Sequence, residues 1–380
     1  MMNTIIFVLY LVINAVNPAV SSVQDALTEE MEIQRQLNPI KTIHTKYGDI
    51  VDCMDMNKQL VFHHPLLKNH KLQKKPSFRK PIEETGIKNL QDKHLFGLDK
   101  DQCPRGTVPI RRTINKDIIQ EKILSNSSIL VKEVPGLHIA EMAVSSKFGP
   151  YYGVRGINSI YNPKVSKDQM SLSHLWIQND GNAKISLGWQ VSPGLYGDDR
   201  THLYASWTND NYYKTGCYNY QCPGFVQIHR RIYLGAPFIH SSSYGGQIYD
   251  FIIAINQDPL TKNWWINVKN YDIGYFPAKL FSNMNLATKV GWGGRTLTPQ
   301  GSLSPPMGSG HFPDLNYAHA SFFREISFRN TSKRNSGPEH YQVEEYIDKP
   351  TCFGFRFYGD VRESLHHFLQ FGGPGGNCGP

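Results

Sequence analysis

The chain has 380 residues and a formal net charge of +8, with 40% hydrophobic and 19% charged residues, 20 Tyr, 19 Phe and 32 Gly. That length favours two folded units, and an aromatic-rich, charge-poor make-up excludes a disordered chain. The wealth of Tyr, Phe, Gly and Pro argues against an all-helical protein, and no apolar stretch beyond the amino-terminal segment is long enough to cross a bilayer.

Ile5 to Val12 is an apolar run, and Ala19-Val20-Ser21 supplies small residues after it. Residues 1–21 therefore read as a secretory signal peptide, although no Lys or Arg precedes the run. Six Cys, an even number, agree with export to an oxidising compartment. Asn126-Ser127-Ser128 and Asn330-Thr331-Ser332 are glycosylation sequons, which makes Asn126 and Asn330 the candidate acceptors. Thr28 to Leu37 predicts one short helix, capped by Thr28, with Glu29 and Glu30 at its positive end and Asn38-Pro39 as its stop.

From Lys41 to about Lys116 the texture is mixed. Lys68, Lys71, Lys74, Lys75, Arg79 and Lys80 form a basic run without an acid. It reads as a solvated loop, the sharper alternative being a cover over an acidic surface of the same protein. A disulfide between Cys53 and Cys103 would enclose this run and stabilise the small unit by about 3–4 kcal/mol.

Pro135 marks a change in texture. Ile185, Leu187, Trp189 and Val191 alternate strictly, predicting a half-buried strand with Lys184, Ser186, Gly188 and Gln190 on its opposite face. Phe225 to Leu234, Gln247 to Ile255, Trp264 to Tyr271 and Lys289 to Thr296 predict further strands. Many short strands without intervening helices indicate an all-β fold, an antiparallel sandwich or barrel.

No strong metal pattern appears. Only four residues separate Cys217 and Cys222, and the adjacent pairs His63-His64 and His366-His367 would face opposite sides of a strand. Neither a Gly-x-Ser-x-Gly elbow nor a P-loop is present, and the glycine-rich stretch at Gly372 to Gly376 opens no helix. No metal and no cofactor are expected.

Longer motifs are more specific. Gly188-Trp189-Gln190-Val191-Ser192-Pro193 with Leu195-Tyr196-Gly197-Asp198, then Thr215-Gly216-Cys217-Tyr218-Asn219 with Cys222, Gly224 and Phe225, resemble the neprosin family. So do Asn263-Trp264-Trp265, Gly274-Tyr275 with Pro277, Met307-Gly308-Ser309-Gly310-His311-Phe312, and the stretch from Phe371 to Cys378. Upstream, Thr42-Ile43, Gly48-Asp49-Ile50-Val51-Asp52-Cys53, His64-Pro65-Leu66-Leu67-Lys68-Asn69-His70 and the segment from Cys103 to Arg112 look like that family's activation peptide. The likeness covers nearly the whole chain after residue 21. It implies a secreted glutamic endopeptidase cleaving after proline, made as a zymogen, with a peptidase domain of two antiparallel sheets. Two glutamates would form its dyad, one activating water and the other protonating the substrate, because close carboxylates titrate apart.

The sequence departs from that pattern at both glutamates. Ser186 stands two residues before Gly188-Trp189, where the family has its first Glu. Arg295 follows Trp292-Gly293-Gly294, where the second belongs. A Ser hydroxyl is not a base without an activating neighbour, and Arg stays protonated. Losing general acid–base catalysis costs about 10²–10⁴ per group.

The expectation is therefore a signal peptide over 1–21, a small mixed pro-domain over 22–134 packed on the sandwich, and a two-sheet antiparallel β-sandwich over 135–380. Its disulfides would be Cys53–Cys103, Cys217–Cys222 and Cys352–Cys378. Gln190 and Trp207 are candidates for a peptide cleft, with Arg295 favouring an acidic group there. The partner would be a proline-containing peptide or an extracellular protein; neither nucleic acid nor a membrane span is expected. The destination is the cell exterior or apoplast, with the vacuole as the alternative. A rival expectation is an active proline-specific enzyme using relocated carboxylates, among them Asp198, Asp199, Asp210, Asp250 and Asp272.

Overall fold

The computed structural model describes residues 38–78, 95–98, 102–112, 135–180, 182–332, 334–361 and 365–379. The helix expected at Thr28 to Leu37, the signal peptide and the sequon at Asn126 lie outside these residues. Three antiparallel sheets account for the described strands.

Near the amino terminus, β1 (Lys41–His44), β2 (Ile50–Asp55) and β3 (Thr107–Arg111) form a three-stranded sheet in that order. Two short 3-10 turns, Leu60–His63 and Pro65–Leu67, follow β2. The disulfide Cys53–Cys103 ties β2 to the segment before β3.

The remaining strands build two larger sheets. One runs β17-β4-β14-β6-β7-β8-β9, from β4 (Leu137–Val144), β6 (Met170–Gln178), β7 (Lys184–Val191), β8 (Thr201–Thr208), β9 (Cys217–Tyr218), β14 (Lys289–Leu297) and β17 (Val343–Ile347). The other runs β10-β13-β12-β11-β5-β15-β19-β18, with β16 beside β15. Its strands are β5 (Gly153–Ser159), β10 (Val226–Gln227), β11 (Asp250–Gln257), β12 (Trp264–Val268), β13 (Tyr271–Phe276), β15 (Ser321–Arg329), β16 (Asn335–Ser336), β18 (Gly354–Asp360) and β19 (His367–Gly372). The expected all-β antiparallel architecture is the observed one. Cys217–Cys222 and Cys352–Cys378 are bonded as expected.

The alternation in β7 works as its sequence dictates. Ile185, Leu187, Trp189 and Val191 all enter the core shared with the larger sheet. Trp189 and Trp292 donate their indole N–H groups across the interface to backbone carbonyls at either end of β5, Ser159 at 2.7 Å and Arg155 at 3.1 Å. Each ring so buried contributes about 4–6 kcal/mol of apolar transfer free energy before entropy is set against it.

Two expected strands come out differently. Trp264 to Tyr271 is not continuous: Lys269 and Asn270 both take positive φ, so the chain turns and pairs β12 with β13 as a hairpin. Phe225 to Leu234 forms a strand only at β10. Beyond it the Gln227 amide donates to the His229 and Ile232 carbonyls, and the His229 ring accepts from the Arg231 and Ile232 amides. These local bonds satisfy the backbone without a ladder, while Ile232, Tyr233 and Leu234 are still buried.

Pro39–Pro380 make one compact unit, in which the amino-terminal segments grip the sandwich. The Gln59 amide donates to the Gln227 carbonyl at 2.9 Å and accepts from the Gln227 N–H at 2.8 Å. Asp258 accepts from the Ser77 N–H and hydroxyl and from Gln73, besides the N–H groups of Leu260 and Thr261. Leu95 and Phe96 join the core, Phe96 packing on Phe238 and Phe251. Arg111 ties Asp49 to the Tyr196 carbonyl. Lys68, Lys71, Lys74 and Lys75 are exposed, as a solvated loop requires, and Arg79 and Lys80 lie outside the described residues; docking runs through the neutral residues Gln73 and Ser77 of the same stretch.

Candidate functional site

Strand register defines the outer face of the seven-stranded sheet. Glu141 on β4, Gly293 on β14, His174 on β6, Gly188 on β7 and Tyr204 on β8 stand directly opposite one another in a single row. The two glycines make this row chemically continuous. A Cβ on Gly293 would lie 2.9 Å from the Glu141 Cγ, and one on Gly188 would lie 1.9 Å from the Ser173 carbonyl oxygen. With both absent, His174 Nε2 reaches Glu141 at 2.6 Å over Gly293, and Tyr204 reaches His174 Nδ1 at 2.7 Å over Gly188.

Arg295 completes the array. Its Nε and one Nη donate to the two carboxylate oxygens of Glu141 at 2.5 and 2.8 Å, and the Trp176 indole donates to the same carboxylate at 3.1 Å. Glu141 is 2% and Arg295 4% exposed. Burial alone would raise the Glu141 carboxyl, but Arg295 and His174 outweigh it and hold that group well below the usual carboxylate range. Burial lowers His174 to about 4, so the imidazole is neutral at neutral pH. Glu141 then accepts from Nε2–H, and Nδ1 accepts from the Tyr204 hydroxyl. The result is an ionised carboxylate with four donors, a neutral imidazole and a phenol. None of these exchanges a proton readily between mildly acidic and neutral pH.

Ser186 lies on the same face, level with Trp176 and Ser206. The residue is 1% exposed, and its hydroxyl has no hydrogen-bond partner. Arg295 is level with Leu172 and Gln190, four residues away in register. Ser186 and Arg295, the positions where the sequence resemblance would put the dyad, thus flank the Glu141–His174–Tyr204 row and make no hydrogen bond with each other. Gln190 keeps the expected face but is buried, its side-chain oxygen without a partner. Trp207 does not line this face. It stands opposite Ile185 and points into the core, against Phe281 and His64.

The carboxylates considered as substitutes are all engaged elsewhere or exposed. Asp198 accepts from Arg200 and His202, Asp250 from Arg324, Asp272 from Asn267, and Asp210 from Lys214 and Thr215; Asp199 is exposed. Glu141 was missed by sequence reasoning. Its signal was a lone acid within the otherwise apolar run Ile139-Ala140-Glu141-Met142-Ala143-Val144. Among the described residues no group of three or more His, Cys, Asp or Glu could hold a metal, and no helix is long and apolar enough to cross a membrane. Asn330, the described sequon residue, is half-buried, its side-chain oxygen accepting from the Ser332 N–H.

Residues 167–374, more than half of the chain, match the family model described as neprosin, and residues 42–143 match that of the neprosin activation peptide. The chain belongs to the neprosin family. The activation-peptide match ends inside β4, whose eight residues all pair with β14, so Glu141 falls within that match while sitting in the sandwich. Among solved structures, Scytalido-glutamic peptidase with a peptide-based transition-state analogue aligns over 63% of this chain and 98% of its own, at 7% identity and a TM-score of 0.34. CG-16, a homodimeric agglutinin from chicken liver, aligns over 42% of this chain and 96% of its own, at 14% identity and 0.25. Both likenesses are too loose to transfer any residue. Three disulfides in a neprosin-family chain suggest an extracellular or secreted protein.

Proposed function

We propose that this protein is a secreted neprosin homologue that has given up glutamic-peptidase chemistry and keeps a peptide-binding cleft on the outer face of its seven-stranded sheet. In this reading residues 1–21 are a signal peptide, 22–134 a pro-domain and 135–380 the sandwich, and Ser186 and Arg295 occupy the places of the two glutamates. The observation that carries it is the clamp of Arg295 on Glu141. Where the family motif has a proton-carrying carboxyl, this chain has a guanidinium buried in an ion pair. A group so held neither accepts a proton from water nor delivers one to a leaving amine.

The rival reading, an active enzyme with relocated carboxylates, needs two carboxyls sharing a proton. Beside Arg295, the hydrogen bonds of the described residues involve one carboxylate, Glu141, already served by four donors. The test is incubation of the purified protein with a proline-rich peptide from pH 3 to 8. No cleavage is expected. Cleavage that copurifies with the chain and disappears in Glu141→Gln would establish the rival.

A further inference from the structure

The Glu141 array leaves one polar pair on the outer face unused. Lys184 and Ser186, two residues apart on β7, are neighbours on that face. Lys184 is 3% exposed, and its amine lies 4.2 Å from the centroid of the Trp176 ring. Trp176 is the direct cross-strand partner of Ser186, so the lysine leans along the sheet toward the unpartnered hydroxyl. Among the described residues no carboxylate forms an ion pair with the Lys184 amine, and Glu141, whose charge reaches it, is already clamped by Arg295. Arg295 and Glu141 neutralise each other, and Lys289, in the same row, is paired with Glu344 at 3.3 Å. His174, lowered by burial, and Tyr204, raised by burial, bring no negative charge at neutral pH. A protonated Lys184 is therefore a buried cation without a counter-ion.

A carboxylate is the ligand that answers this arrangement. It supplies one negative charge to one ammonium, and its second oxygen takes the Ser186 O–H; a phosphate dianion would need donors that the face lacks. A neutral ligand would leave the buried ammonium without a counter-charge. Catalysis by the pair is disfavoured by geometry, because the Ser186 hydroxyl makes no hydrogen bond to the amine. The row through Lys184 includes the half-buried Gln178 and Lys289, so the pair lies toward the solvent-facing end of the sheet.

We propose that Lys184 and Ser186 form a carboxylate-binding subsite that takes the carboxylate of a peptide ligand, an inference resting on the peptide-cleft reading above. Burial and the neighbouring Arg295 push the empty amine well below its ordinary value, although Glu141 works against them. Binding of the anion restores the charged form, so it takes up a proton, and affinity falls as pH rises.

The test is isothermal titration of the full chain with a proline peptide in three forms: free carboxy terminus, amidated, and amidated with a glutamate side chain. Each is run in two buffers of different ionisation enthalpy. At least one carboxylate form should bind about tenfold or more tighter than the plain amide, with proton uptake, and the difference between the two carboxylate forms identifies the source. Lys184→Met, which removes the charge and keeps the apolar stem, should abolish the preference, whereas Lys289→Met should not. Equal binding of acid and amide, or a preference that survives Lys184→Met, overturns the subsite alone. Acetate separates the two readings. Acetate binding that depends on Lys184, with no peptide bound, would sink the peptide cleft and leave the subsite standing. Binding of neither would overturn both.

Discussion

Substituting Arg295→Glu, which on the function proposed above would return a carboxyl to a dyad position, should damage the fold before it can help catalysis. The change removes two charge-assisted hydrogen bonds from a carboxylate that is 2% exposed. Breaking one partner out of a buried pair costs about 3–5 kcal/mol, because the remaining charge is stranded. The new carboxyl also faces Glu141, and two like charges roughly 4 Å apart repel by about 4 kcal/mol at an effective dielectric constant of 20 unless one takes up a proton. Against a total stability of order 5–15 kcal/mol the loss is large. Adding Glu141→Gln removes the repulsion and leaves one buried carboxyl, the introduced one, with a neutral amide beside it, so part of the stability should return. On the function proposed above, gaining post-proline cleavage would then need three substitutions, Ser186→Glu, Arg295→Glu and Glu141→Gln, rather than two. Urea unfolding followed by tryptophan fluorescence measures the first part, and cleavage of a proline peptide the second. If Arg295→Glu unfolds within about 1 kcal/mol of the parent, or Glu141→Gln fails to rescue it, the buried ion pair is not what organises this face.

Two further outcomes follow from buried titrations. His174 titrates at about 4 in the fold against 6.5 ordinarily, chiefly through burial, so between those values the unfolded chain binds the extra proton. Acidification from pH 6.5 to 4 should therefore cost roughly 3 kcal/mol through this residue and nothing further below; an acid limb left unchanged by His174→Gln would sink the claim. Burial would raise Asp258, but hydrogen bonds from Thr261, Ser77 and Gln73 lower it to about 2 from 3.8, so its grip on residues 73–77 should hold above pH 4 and weaken only as pH falls toward 2. Asp258→Asn should accelerate proteolytic cutting of that segment at neutral pH, and an unchanged digestion rate would count against the latch.

What the sequence disclosed, and what it hid, divides along the two faces of β7. The alternation of Ile185, Leu187, Trp189 and Val191 located the inner face, because burial between sheets demands an unbroken apolar row. The same alternation placed Lys184, Ser186 and Gln190 together, yet periodicity says nothing about whether a polar face meets water, and these three are buried. Trp207 was misjudged for a related reason: β8 has aromatic residues on both faces, Tyr204 outward and Trp207 inward, so composition alone does not choose. The hairpin at Lys269-Asn270 lacked the glycine that usually marks such turns, and the loop after β10 is held by side-chain amides that no period records. Glu141 became meaningful only when register set it beside Gly293, because its partners come from β6 and β14, distant in sequence.

The Gln59 side chain treats Gln227 as a neighbouring strand would, giving one donor and one acceptor to the backbone of β10, which begins the order of the larger sheet. Sheet borders are where separate molecules zip together, and proteins blunt them with short strands or a covering segment. Here both devices coincide: β10 is two residues long, and the single amide of Gln59 occupies the N–H and carbonyl of Gln227. Without Gln59 the Gln227 N–H and carbonyl would stand unsatisfied at the rim of the sandwich, the kind of edge along which sheets associate.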